Sequence, residues 1–171
     1  MSAEYLVISS SLRAGSSSRL LGLQLAQELG AAAEHVDLRD FPLPICDGEA
    51  AYSDPNVAKL STKISAARVI LVATPIYNFD ANAAVKNLVE LTGSAWENKI
   101  VGFACAAGGA LSYMSVMSLA NSLMLDFRCV IIPRFVYATG DDFADGKIAN
   151  PELATRLKQL AEAARTLRNT P

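Results

Sequence analysis

Between residues 9 and 18 the chain reads Ser9-Ser10-Ser11-Leu12-Arg13-Ala14-Gly15-Ser16-Ser17-Ser18, with six hydroxyls, a glycine and one guanidinium. Hydroxyls and unpaired backbone N–H groups donate hydrogen bonds, and Arg13 adds a fixed positive charge. If this segment opens a helix, the set would surround a phosphate, because the N–H groups of a first turn converge where the helix dipole favours negative charge. The plain alternative is a solvated serine-rich turn with one serine as N-cap. The apolar run Tyr5-Leu6-Val7-Ile8 just before it favours the anion site, since phosphate loops typically follow a buried strand.

Two further segments could frame a flat ligand. Thr74-Pro75-Ile76-Tyr77-Asn78-Phe79 ends an apolar strand in a proline and then an aromatic-polar pair, offering backbone N–H groups and a ring. Ala106-Ala107-Gly108-Gly109-Ala110 lacks side chains that would keep a ligand from the backbone. Each alone could be an ordinary turn.

Several chemistries are excluded. The serine loop carries no G-x-x-x-x-G-K-[ST] and no G-x-G-x-x-G pattern, and no G-x-S-x-G elbow occurs. His35 is the single histidine, and Cys46, Cys105 and Cys129 form no C-x-x-C pair, so no metal site is expected. The chain has 171 residues, 51% apolar and 19% charged, with a net charge of −2. No basic field exists for nucleic acid, and no apolar run reaches the ~20 residues of a membrane span. Residues 1–5 lack the pattern of a signal peptide, so a cytoplasmic protein with reduced thiols is expected.

The elements that must position these loops follow from periodicity. Strands are predicted at 5–8, 35–38, 68–73, 99–105 and 129–132, the third stopping at Pro75 and the fifth at Pro133. Helices are predicted from Ser18 to Gly30, from the Asp54 cap and Pro55 through Ile64, over 83–91 up to Gly93, over 112–126, and from the Asn150 cap and Pro151 to Leu167. Five strands apolar throughout, alternating with five helices, predict one α/β domain over 1–171 with a parallel sheet covered on both faces. The sheet order expected is 2-1-3-4-5, which makes the first, third and fourth strand-end loops neighbours at the point where strand order reverses. Residues 133–149 are left as a polar surface loop, long enough to suggest a function.

Together, Ser10-Ser11-Leu12-Arg13-Ala14-Gly15-Ser16, Pro75-Ile76-Tyr77-Asn78, Lys86-Asn87 and Gly108-Gly109 resemble, in order and spacing, the NAD(P)H-dependent FMN reductase family over most of the chain. The resemblance implies a flavodoxin-like three-layer sandwich that binds FMN. It also implies hydride transfer from NADPH or NADH to a flavin, quinone, azo compound or metal oxyanion. Carried across, Ser11, Arg13, Ser16 and Ser18, with Ser17 between them, match the FMN-phosphate loop. Pro75, Ile76, Tyr77 and Asn78 match the segment along the isoalloxazine, and Ala107, Gly108 and Gly109 the turn on its other side. No catalytic side chain is expected, because the chemistry resides on the cofactor. Four positions depart from the common pattern: Ser10 stands for Gly, Ser18 for Asn, Ile76 for Glu and Asn82 for Pro. A flavodoxin-type electron carrier, or a binding module that has lost FMN, are the competing readings. A net charge of −2 and Arg13 argue against the carrier, since carriers are usually strongly acidic and lack such an arginine.

Other reactive-looking residues read as structural: Cys105 as a small buried residue, His35 as remote from the loops, Trp96 as packing or interface. The resemblance implies a homodimer or homotetramer. Val85, Leu88, Val89 and Leu91 on the third helix, with Tyr113, Met114, Met117, Leu119, Leu123, Met124 and Leu125 on the fourth, supply more apolar surface than one sheet face should cover.

Overall fold

A computed structural model describes residues 3–169. The chain order is β1 (Tyr5–Ser9), α1 (Ser17–Leu29), β2 (Ala33–Asp37), α2 (Pro55–Ala66), β3 (Val69–Tyr77), β4 (Asp80–Ala81) and α3 (Ala83–Thr92). Then follow β5 (Ile100–Ala106), α4 (Met117–Phe127), β6 (Val130–Ile131), β7 (Val136–Ala138), β8 (Phe143–Ala144), β9 (Lys147–Ile148) and α5 (Pro151–Thr166). The main path β2-β1-β3-β5-β6 is parallel throughout, with β7 also on β5. Leucines of α1 and α5 cover one face of this sheet, while α2, α3 and α4 cover the other. This is the doubly wound, flavodoxin-like arrangement expected from the apolar strands.

The strand count differs from the expected five, for local reasons. The outer strand comes in two pieces. Ile132 N–H still donates to Val101 O at 2.8 Å, but Pro133 then centres a tight turn in which Arg134 N–H donates back to Ile132 O at 2.8 Å. The chain rejoins β5 as β7, pairing Val136–Ala138 with Ala104–Ala106. Residues 133–149 are therefore not a bare loop. They hold β7, a short 3-10 turn (Gly140–Asp142) and the β8–β9 hairpin.

β3 also runs beyond its expected stop at Pro75, to Tyr77. The proline is tolerated because of where its missing N–H would point. Ala73 O accepts Ser10 N–H at 3.0 Å, so Pro75, two residues on, faces the same side, past the last β1–β3 pair, Ser9–Ala73. β3 then pairs antiparallel with β4, leaving Asn78 and Phe79 as a two-residue hairpin loop. Both have positive φ, 51° and 63°, as a tight hairpin turn of the right twist requires.

α1 sits close against β1 and β3 because residue 22 is glycine. A Cβ there would overlap Ser9 Oγ and lie 3.2 Å from Ala73 Cβ. Beneath it the Ser9 hydroxyl and His35 Nε2 are 2.9 Å apart. α4 begins five residues later than expected. The Tyr137 hydroxyl donates to Gly109 O and meets Ser112 Oγ, both at 2.5 Å, and holds the entry as turns.

Burial also corrects the expected surplus. Val85, Leu88, Val89, Leu91, Leu119 and Leu123 are core, and Trp96 is fully buried with its Nε1–H on Thr92 Oγ1 at 2.8 Å. Of the expected surplus, Tyr113, Met114, Met117, Met124 and Leu125 are exposed, as are the nearby Leu111, Tyr77 and Phe79.

One buried polar cluster joins the first two strand-end loops. Asn82 Nδ2 donates to Ser10 O at 2.8 Å, and Asn82 Oδ1 accepts from Ser10 Oγ at 2.8 Å and from Thr74 Oγ1 at 3.1 Å. Removing a partner in a buried cluster leaves the others unsatisfied, so Asn82→Ala is expected to lower the unfolding free energy by about 2–3 kcal/mol. Ser10→Ala should then cost about 1 kcal/mol less in that background than in the parent chain. Urea unfolding of the four-member cycle measures both; strictly additive losses would show that the two residues do not act as one unit.

Candidate functional site

The loops after β1, β3 and β5 open onto one cleft of about 720 Å³. Arg13, Ser16, Ser17 and Ser18 line one end, Pro75 to Asn78 and Ala106 to Gly108 the slot beside it, and Thr139, Gly140 and Phe143 a further wall. Ten of the twelve expected residues are thus brought together by strands whose order makes their ends neighbours. Ser11 and Gly109 stand off the cleft. Ser11 is buried, and its hydroxyl accepts Arg13 N–H at 3.3 Å, so it shapes the loop from behind. Gly109 instead spends its carbonyl on Tyr137.

At the serine end every available polar group donates. Ser16 is the N-cap of α1, yet its hydroxyl meets Ser18 Oγ at 2.8 Å rather than capping the helix. That bond uses one of the pair's two hydroxyl protons and leaves the other uncommitted. The first backbone N–H groups bonded back to the cap carbonyl are those of Arg19 and Leu20, and no acid stands in the first turn. Arg13 is exposed and joins no ion pair among the described residues.

The nearby Arg19 is committed elsewhere, to Asp37 at 2.8 Å, with Arg39 on the same carboxylate at 3.3 Å. Burial pushes the Asp37 carboxyl up, but the Arg39 amide and the Arg19 guanidinium outweigh it and hold it below its usual range. Asp37 therefore stays ionised and holds both arginines, so Arg13 is the one cation among the described residues that line the cleft. Burial lowers the His35 pKa, keeping that ring neutral at pH 7.

Gly108 shows what the slot is built for. Its φ is not in the left-handed range, and a Cβ on it would meet no protein atom within 4 Å. Neither backbone conformation nor packing asks for glycine here; a side chain would only occupy the cleft. A donor-rich pocket without a carboxylate, beside a wall kept flat, fits a phosphate joined to a planar ring, and FMN is such a molecule.

Thr139, Gly140 and Phe143 were missed, because they lie in the stretch read as loop. The signal was present as Thr139-Gly140-Asp141-Asp142, which forms a capping box around the 3-10 turn. The described residues include no cluster of three His, Cys, Asp or Glu placed for a metal, and no helix long and apolar enough to cross a membrane.

Fold and cleft together define a flavodoxin-like protein with one open cleft at the carboxyl edge of its sheet. Comparison with known proteins narrows this: residues 4–144 match the family described as NADPH-dependent FMN reductase. The chain belongs to that family, and it is an FMN-dependent NAD(P)H oxidoreductase. It is 29% identical over 130 residues to the NAD(P)H-dependent FAD/FMN reductase of Geobacillus thermodenitrificans, covering 74% of this chain and 70% of that protein. The probable NADPH:quinone oxidoreductase 2 of Oryza sativa subsp. japonica is 27% identical over 168 residues, covering 90% and 82%. Among solved structures, the flavoenzyme NAD(P)H:(acceptor) oxidoreductase FerB of Paracoccus denitrificans superposes with a TM-score of 0.76 at 21% identity, covering 93% of each chain, a likeness of fold.

The thiols take no part in such a site. Burial pushes Cys105 up to about 12 and Cys129 up to about 11, and only a thiolate is a good nucleophile. Cys46 alone is partly exposed. A disulfide reagent at pH 8 is expected to modify one thiol in the folded protein and three after unfolding. Rapid modification of Cys105 in the folded state would show that the core between β5 and α4 opens to solvent.

Proposed function

We propose that FMN lies in this cleft with its phosphate on Arg13, Ser16, Ser17 and Ser18 and its ring between Pro75–Asn78 and Ala107–Gly108. The observation that carries this reading is the shared cleft itself. Its one uncompensated cation and its donor loop stand at one end, and its side-chain-free wall at the other. Bound there, FMN would supply the redox chemistry for hydride transfer between NAD(P)H and a small acceptor.

The chain's own work is placement. Ser11 braces the loop that presents Arg13. The Asn78–Phe79 turn holds the backbone N–H groups at the ring edge in a geometry that a relaxed loop would not keep. Ile76 and Ala106 close the floor of the cleft, and their burial keeps water from beneath the ring. The acceptors that fit are flavins, quinones, azo compounds or metal oxyanions, all able to approach through an open face. The whole chain acts as one FMN-binding domain, and its unpaired thiols suit the cytoplasm.

The exposed apolar residues support a homodimer or homotetramer. Ser118 at the start of α4 donates to Asp80 Oδ1 at 2.5 Å, which sets the β3–β4 hairpin beside α4. Tyr77, Phe79, Met114 and Met117 thereby lie on neighbouring segments at the cleft mouth, where a second copy would wall the site.

Three experiments test these assignments. The purified protein is expected to show, or take up, a flavin spectrum and then to consume NAD(P)H. Arg13→Ala should weaken FMN binding by about 1.5–3 kcal/mol, roughly 10- to 150-fold, the range for a hydrogen bond to a charged group. An unchanged dissociation constant would assign the phosphate to hydroxyls and backbone alone. Light scattering is expected to give a multiple of the 18.2 kDa chain mass. A fully active monomer at micromolar concentration would refute both the assembly and the shared wall.

A further inference from the structure

The wall formed by Thr139, Gly140 and Phe143 has no counterpart among the residues that hold phosphate or ring. Its place in the cleft follows from its packing. The β8–β9 hairpin runs along the outer flank of α1, where Gly146, Lys147 and Ile148 share a groove with Leu20, Leu23 and Gln24. Phe143, half-buried, packs against the cluster that holds Leu21 and Leu25 of α1. The wall therefore runs from the slot, where Thr139 follows Ala138 beside Ala107, toward the flank of α1, whose first turn opens the serine end of the cleft.

It is also held at both ends. On one side Ala107 N–H donates to Ala138 O at 2.9 Å, tying the wall to the slot. On the other, the Asp142 carboxylate accepts Thr139 N–H and Asn150 Nδ2, each at 2.7 Å, while Asn150 itself caps α5 through Glu152 N–H at 2.9 Å. Ala149 N–H closes onto Asp142 O at 2.9 Å. A segment anchored to the last helix and the central sheet cannot swing aside without breaking these bonds. Its charge is unfavourable to a second phosphate as well, with Asp141, Asp142 and Asp145 against Lys147 alone.

We propose that Thr139–Phe143 is the specificity wall that restricts the cleft to a flavin mononucleotide and excludes flavin adenine dinucleotide. The inference rests on the phosphate placement given above. A terminal phosphate monoester needs donors on one side and nothing beyond. A pyrophosphate must continue past that pocket, needs a second cation, and carries a bulky adenosine; here it meets the Phe143 ring and a fixed turn, in a segment whose net charge is negative. Arg13 is the single uncommitted cation at that end, and it serves the first phosphate.

The test is equilibrium binding of FMN, FAD and riboflavin to flavin-stripped protein, followed by quenching of flavin fluorescence. The parent chain is expected to bind FMN at least about tenfold more tightly than FAD, a discrimination ordinary for steric and charge exclusion. Phe143→Ala should narrow that ratio about fivefold or more by tightening FAD, with FMN affinity held within about threefold. The exposed pair Asp141→Asn and Asp145→Asn, which leaves the Asp142 anchor intact, should narrow it in the same direction at low salt, and reads the wall even if Phe143→Ala fails to fold. FAD binding as tightly as FMN in the parent chain, or a ratio unmoved in both variants, overturns the wall. Riboflavin binding as tightly as FMN would instead overturn the phosphate placement, so the two failures are distinct.

Discussion

The site depends on one buried amide. Asn82 sits between the loop that offers phosphate donors and the hairpin that borders the ring slot, and it bonds to both through Ser10 and Thr74. Those loops leave different strands, 63 residues apart at Ser10 and Ala73, and sheet pairing between them ends there. Beyond that point only side chains can set the separation of pocket and slot. Because Ser10, Thr74 and Asn82 are all buried, the cluster is satisfied as a whole or it is costly. Ser10 and Asn82 are also two of the four departures from the family's common pattern. In the fold they are partners, and the glycine and proline they stand for could not make this bond. The substitutions are intelligible as a pair, which explains how both persist without disturbing the cleft.

The layers were legible because β1, β3 and β5 are apolar without alternation and α2 and α5 announce their starts. Asp54-Pro55 and Asn150-Pro151 both cap as their types suggest, with side-chain oxygens on Asn56 N–H and Glu152 N–H. The serine loop and the P-x-Y-N segment were legible for a related reason: their residue types suit the chemistry directly. What stayed hidden rests on partners distant in sequence. Pro75 reads as a stop, and it is a strand residue only because β1 ends before its register. Pro133 reads as a terminus, and it is a turn only because β5 offers a second stretch of edge to Val136. Thr139 and Phe143 carry no chemical signature, and they reach the cleft because β7 and α5 fix the segment between them.

Equally informative is what the fold does with its buried titratable groups, none of which lines the cleft. The histidine is kept neutral by burial, two thiols are pushed far above neutrality, and the buried carboxylate is locked between two arginines. No acid or base is poised near pH 7 within the cleft, which is what an enzyme needs when its cofactor carries the reaction and the protein supplies position. Charge is sparing for the same reason. Arg19 and Arg39 are held on Asp37, and Arg13, the one cation among the described residues lining the cleft, stands in the serine loop.

The β3–β4 hairpin completes the argument by what it tolerates. Asn is at ease with positive φ, but Phe79 is not; a bulky residue in the left-handed region costs about 1 kcal/mol or more relative to glycine. Its ring is exposed, so packing within the chain does not offset that cost. The turn is instead over-determined from outside itself, by the β3–β4 pairing on one side and by Ser118 on Asp80 on the other. A strained, exposed aromatic held at the cleft mouth, next to Tyr77 and the apolar start of α4, is a surface shaped for contact beyond this chain. The proposed second subunit gives that surface something to cover, and it would enclose the open face on which NAD(P)H and acceptor must take turns.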